Sequence, residues 1–111
     1  MSRKLKIAIP VGDPAGIGPE IALKAALNPV GQAACEPILV ADSDLLKRHA
    51  EACGIEGFAK VTVLACPQPE TGSLGFGVVS PISGRASIAF CAAAINAAMN
   101  GIPMGARAGE L

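Results

Sequence analysis

Residues 12 to 21, GDPAGIGPEI, place three glycines, two prolines and two carboxylates in ten positions. Neither a strand nor a helix runs comfortably through such a segment, because proline withholds a backbone N–H and glycine favours turns. On its amino-terminal side Leu5, Ile7 and Ile9 alternate with Lys4, Lys6 and Ala8. That is the period of a half-buried strand, and Pro10 marks where its ladder stops. On the other side Pro19 occupies the opening of a helix that Ile21, Leu23, Ala25, Ala26 and Leu27 continue as far as Asn28 and Pro29. A strand, a glycine turn and a helix in this order point to an α/β layer structure with parallel strands.

The rest of the chain repeats the plan. Pro37 to Ala41 is a short apolar run suited to a strand buried on both faces, and Asp42 or Ser43 then caps a helix with Leu45, Leu46, Ala50 and Cys53 on one side. Gly54 stops that helix. Val61 to Ala65 is a third strand, ended by Cys66-Pro67-Gln68-Pro69, and residues 70 to 83 form a loop rich in Gly, Ser and Pro. Ser83 is expected to cap a last helix, with Ile88, Ala92, Ile95 and Met99 at spacings of four, three and four and Gly101 at its end. Residues 102 to 111, IPMGARAGEL, carry no strand pattern where an α/β alternation would supply a strand. They read as a divergent tail after a unit spanning residues 1 to 101.

Composition narrows the classes of function. The formal net charge is zero and 51% of the 111 residues are apolar, which argues against disorder and against a nucleic-acid partner. Neither apolar stretch reaches the length of a membrane span, the one from Ala86 to Met99 being interrupted by Asn96, so a cytoplasmic protein with no membrane partner is expected. Cys35, Cys53, Cys66 and Cys91 form no C-x-x-C pair and have no companion histidine cluster, so they are expected to be reduced, mostly buried thiols rather than zinc ligands. With three Phe, no Tyr and no Trp, the core falls to Ala, Val, Ile and Leu.

A helix that opens from a glycine turn aims free N–H groups and the positive end of its dipole at whatever lies in front of it, as nucleotide sites require. Two familiar nucleotide motifs are nevertheless absent. A P-loop beginning at Gly12 would need glycine where Ile17 stands and a lysine after it, and a G-x-G-x-x-G fingerprint beginning at Gly16 and Gly18 would need glycine at Ile21. Glu20 has a local role as an acid complementing the helix dipole, and Asp13 before Pro14 is common turn chemistry. His49 is expected to be a partly exposed helix residue, and Arg85 a solvated one.

GDPAGIGPEI after a first strand resembles the amino-terminal signature of the 4-hydroxythreonine-4-phosphate dehydrogenase family of pyridoxine biosynthesis. The shorter GIGPE is similar to the opening loop of the isocitrate and isopropylmalate dehydrogenases, whose fold that family shares. PILVAD at residues 37 to 42 and GRASIAF at 84 to 90, with AAINAAMNG after it, support the resemblance. It implies a three-layer αβα fragment of an isocitrate/isopropylmalate dehydrogenase-like fold with an incomplete sheet. It also implies the amino-terminal portion of an oxidoreductase that uses NAD and a divalent metal to oxidise a phosphorylated hydroxy acid, often with decarboxylation, as a homodimer. The family's metal-ligating histidines match no position here, so no metal site is expected in this chain, and a truncated or frameshifted, inactive product is the expectation. Asp13, Gly16 and Gly18 are the positions that the resemblance places beside the cofactor. Two alternatives stay open: a small nucleotide- or phosphate-binding α/β module without redox chemistry, and a partner subunit for a separate carboxy-terminal half.

Overall fold

A computed structural model describes residues 4–78, 80–101 and 106–107. Strand β1 (Leu5–Pro10) leads through the glycine loop into α1 (Gly18–Leu27), followed by a short α2 (Pro29–Ala34), strand β2 (Cys35–Ala41), α3 (Ser43–Ala52), strand β3 (Thr62–Ala65) and the long α4 (Pro81–Asn100). Single 3₁₀ turns at Phe58–Lys60 and Pro69–Ser73 fill the connections. The short α2 goes beyond the sequence expectation; the Asn28 side chain caps it, accepting a hydrogen bond from the Val30 N–H at 2.9 Å.

The strands stand in the order β1-β2-β3, all parallel, with Leu5 opposite Cys35 and Ile38 opposite Thr62. Ile38, Leu39, Val40 and Ala41 are all buried. Successive strand residues point to opposite faces, so β2 is covered on both, as a central parallel strand should be. Helices α1 and α2 pack on β2 with α3 against α1, whereas α4 lies over β1 and β2, giving the layers of an incomplete αβα arrangement. Of the tail, Ala106 and Arg107 form a two-residue strand, β4, antiparallel to β3, where the sequence showed no strand pattern; the remainder of 102–111 lies outside the described residues.

Three expectations about burial are corrected. In β1, Leu5 and Ile7 are 76% and 45% exposed; they lie in the amino-terminal half of the strand, whose three residues are exposed on both faces, and β1 is the edge of the sheet among the described residues. In α4 the stripe Ile88, Ala92, Ile95 and Met99 faces outward, and the buried face is Ser83, Ala86, Phe90, Ala94 and Ala97. Small residues let the helix approach the sheet, and Phe90, with no exposed surface, fills the core position that the aliphatic reading had not reserved for an aromatic ring. The thiols are also less buried than expected: Cys53 and Cys91 are exposed, and Cys35 and Cys66 are half-buried. Helix α4 is moreover longer than its apolar stretch suggested, with twenty residues and a mean hydropathy of 1.3, enough to cross a membrane by length and composition alone.

The caps follow local chemistry. Asp42 accepts from the N–H groups of Asp44 and Leu45 at 3.0 and 3.1 Å and caps α3. Its other oxygen accepts from Gln68 N–H at 2.7 Å, tying the end of β2 to the loop after β3. Ser80, not Ser83, caps α4: its hydroxyl accepts from the Ser83 N–H at 3.2 Å and Pro81 opens the helix. Ser83 is buried one turn in.

Candidate functional site

The glycine loop, the Asp42 turn and the segment after Cys66 lie at the carboxyl ends of β1, β2 and β3. In open parallel sheets this is the edge where ligands bind. Each residue of the loop has a constraint that can be read from the geometry. Gly12 has φ +77°, which favours glycine. A side chain at Gly18 would run into the carbonyl oxygen of Val11, so the first turn of α1 approaches the end of β1 closely enough to demand glycine there as well. Gly16 differs. A methyl group there would sit 3.5 Å from the nearest atoms, those of Asp13, at ordinary contact distance. Gly12 is thus explained by its backbone conformation and Gly18 by the chain's own packing, and Gly16 is the one left open to an external partner.

Asp13 is exposed, and its Oδ1 accepts from the Ala15 N–H at 2.8 Å while its carbonyl accepts from the Gly16 N–H at 3.0 Å. The side chain therefore builds the turn that brings Gly16 and Gly18 to the head of α1. No side chain caps α1, whose amino-terminal cap residue is Ile17, so the dipole end faces outward next to Gly16.

Supports for this loop come from positions that local pattern does not reveal. His49 is only 3% exposed, not the partly exposed residue the sequence suggested. Its Nε2 lies 2.7 Å from the carbonyl oxygen of Pro14, and a carbonyl can only accept, so Nε2 carries the proton. The Phe76 ring lies against the imidazole at a centroid distance of 4.4 Å. The neighbouring Gly77 N–H donates to the Ala15 carbonyl at 2.6 Å. One buried imidazole and one returning segment thus hold the back of the loop, over sequence separations of 35 and 62 residues that no motif spans.

Glu20 extends across the same helix end. The Lys24 ammonium at 3.2 Å and then a hydrogen bond with the Cys53 thiol hold its carboxyl below the usual carboxylate range. Desolvation and then the Glu20 carboxylate push the Cys53 thiol up. A lowered carboxyl contributes stability above its unfolded value and loses it as pH falls through the folded one, so Glu20 favours the fold at neutral pH. Arg85 is exposed and pairs with Glu70 at 3.4 Å.

Among the described residues, no three His, Cys, Asp or Glu side chains stand together as a metal-binding group. The donor set therefore does not fit the divalent metal that the resemblance implies. A concavity of about 440 Å³ between Lys4, Lys6, Glu36 and Lys60 is at the opposite, amino-terminal end of the strands. It is a surface groove between exposed lysines, remote from the loop.

Comparison with known proteins gives a consistent match. The chain is 33% identical to a protein of Symbiobacterium thermophilum provisionally named D-threonate 4-phosphate dehydrogenase, over 91% of this chain and 34% of that protein. A protein of the same provisional name from Oceanobacillus iheyensis is 32% identical, over 91% and 35%. Among solved structures, the 4-hydroxythreonine-4-phosphate dehydrogenase of Burkholderia phymatum superposes with a TM-score of 0.75 at 25% identity, over 90% of this chain and 34% of that one. That of Klebsiella pneumoniae superposes at 0.74 and 26%, over 88% and 34%. No family profile matches. The chain thus spans about a third of the length of the proteins it matches.

Proposed function

Since the chain shares sequence and an incomplete αβα fold with 4-hydroxythreonine-4-phosphate dehydrogenases over 90% of its length, we propose that it is the amino-terminal, cofactor-side portion of a dehydrogenase acting on a phosphorylated hydroxy acid with NAD. Bound NAD would supply the hydride acceptor. The chain's own part is to present the backbone at Gly16 and the outward dipole end of α1, with Asp13 shaping the turn and His49 bracing it. The observation that carries this reading is Gly16, a glycine in a braced loop at the carboxyl end of the sheet for which internal packing gives no reason. No metal-dependent step is drawn through the described residues, whose side chains do not form the donor set; such a step requires ligands from elsewhere, and the chain by itself is inactive in this reading.

The test is a chimera in which residues 4–101 replace the matching third of the Symbiobacterium thermophilum relative, assayed with D-threonate 4-phosphate and NAD. The expected result is turnover, with Gly16→Ala raising the KM for NAD at least tenfold while the thermal midpoint holds. Unchanged kinetics in that variant would remove the loop from the cofactor site. If the 111-residue chain instead shows a cooperative thermal transition raised by nucleotide alone, the small binding module is the better reading.

A further inference from the structure

The register of the sheet leaves a notch at the amino-terminal ends of its strands. Strands β1 and β2 start level, with Leu5 opposite Cys35, whereas β3 first pairs at Ile38. Residues 35–37 therefore have β1 along one side and, among the described residues, no strand along the other. The groove of about 440 Å³ lies in this notch. Its floor is apolar, with Ile38 and Val61 buried and Pro37 half-buried, and its rim carries the exposed Lys4, Lys6, Glu36 and Lys60. A volume of that size falls within the range of small-molecule sites, roughly 300–1,000 Å³.

The charges on the rim are not spent on one another. Lys4 donates to the Gln32 carbonyl at 2.6 Å and so neutralises the negative end of α2. Lys6 and Glu36 stand opposite each other in the register of β1 and β2, yet among the described residues they form no ion pair, and neither does Lys60. Two ammonium groups, each with three donors and no acceptor, are thus left beside one carboxylate that only accepts and the half-buried Thr62, whose hydroxyl does both. Three lysines against one acid give the groove a positive balance in a chain whose formal net charge is zero.

We propose that this notch binds a small sugar phosphate, at a site separate from the glycine loop. Lys6 and Lys60 hold the phosphate, as compact point charges with charge-assisted hydrogen bonds. Glu36 and Thr62 take hydroxyl groups of the sugar, and Ile38 and Val61 meet its carbon skeleton. A nucleic-acid strand fits less well, because Glu36 stands among the cations and no aromatic ring lines the groove to stack a base. The groove and the glycine loop are at opposite ends of the strands, so this site does not depend on the dehydrogenase reading.

The test titrates the 111-residue chain with ribose 5-phosphate by calorimetry and two-dimensional NMR, with ribose and inorganic phosphate as comparison ligands. The expected result is saturable one-to-one binding, with amide shifts confined to residues 4–6, 35–37 and 60–62 and none at 12–18. Lys6→Gln and Lys60→Gln should each weaken it about tenfold by removing a charge-assisted contact. Glu36→Gln should narrow the preference for ribose 5-phosphate over inorganic phosphate. All three positions are exposed, so circular dichroism and the unfolding midpoint should hold. Lys24→Gln, whose parent side chain pairs with Glu20 outside the groove, controls for loss of charge alone. Absence of binding overturns the proposal, as do shifts centred on the glycine loop or a loss with Lys24→Gln equal to that with Lys60→Gln. Inorganic phosphate bound as tightly as ribose 5-phosphate overturns it in favour of a bare anion site. The same titration on the chimera carrying residues 4–101 gives a result even where the isolated chain folds poorly.

Discussion

A methyl group at residue 18 would overlap the carbonyl oxygen of Val11, whereas one at residue 16 meets only ordinary contacts. Gly18→Ala should therefore cost about 1–3 kcal/mol, the usual penalty of overpacking, and Gly16→Ala should stay within about 0.5 kcal/mol of the parent. Urea unfolding of the two variants separates them; equal losses would mean that the turn is held differently. His49 supplies a second contrast. Replacing it by leucine strips the buried Pro14 carbonyl of its donor, at a cost of about 1–3 kcal/mol, and His49→Gln, which keeps an N–H on a side chain of similar reach, should recover part of that. A leucine variant as stable as the parent would show that the imidazole does not brace the loop. Of these residues the glycines and Asp13 were legible in the sequence, as a cluster. The role of His49 was not, because its partner lies 35 residues away and burial of a lone histidine leaves no periodic trace.

At the scale of elements, local signals were read with fair accuracy where a single turn of backbone decides the matter. Asp42 was named as one of two caps for α3 and is the one used. Because it also accepts from Gln68 N–H across the sheet end, Asp42→Ala should destabilise by about 2 kcal/mol, the upper end for a helix cap. A loss no greater than that of Ser80→Ala, expected near 1 kcal/mol, would show that the Gln68 bond adds nothing. The long helix shows the limit of such reading. Its sequence offers Ile88, Ala92, Ile95 and Met99 at helical spacing, and an apolar stripe is the ordinary mark of a core face. The structure buries the face of Ala86, Phe90, Ala94 and Ala97 instead. With apolar residues on nearly every side, periodicity cannot choose between faces, and the need for close approach to the sheet selects the smaller side chains.

For the whole molecule, stability should be graded from the centre of the sheet to its open edge. Amides of Leu39 to Ala41 in β2, covered on both faces, should exchange near the global unfolding limit, and those of Leu5 to Ile7 in β1 through smaller openings, at rates at least tenfold faster. Hydrogen exchange read by mass spectrometry checks this; equal protection in dilute protein would mean that the β1 edge is already covered. By itself the amino-acid sequence determined the alternation of strand and helix, the glycine turn, the Asp42 cap of α3 and the helix stop at Gly101, since each depends on dihedral preferences and hydrogen bonds within a few positions. Only the tertiary structure decided which face of α4 is buried, that β1 is an edge, that His49 and Gly77 grip the loop, and that Gly16 alone of the loop glycines is free of internal constraint. Those outcomes depend on which distant elements come to lie side by side, and a residue's burial is a property of its neighbours rather than of its own place in a repeat.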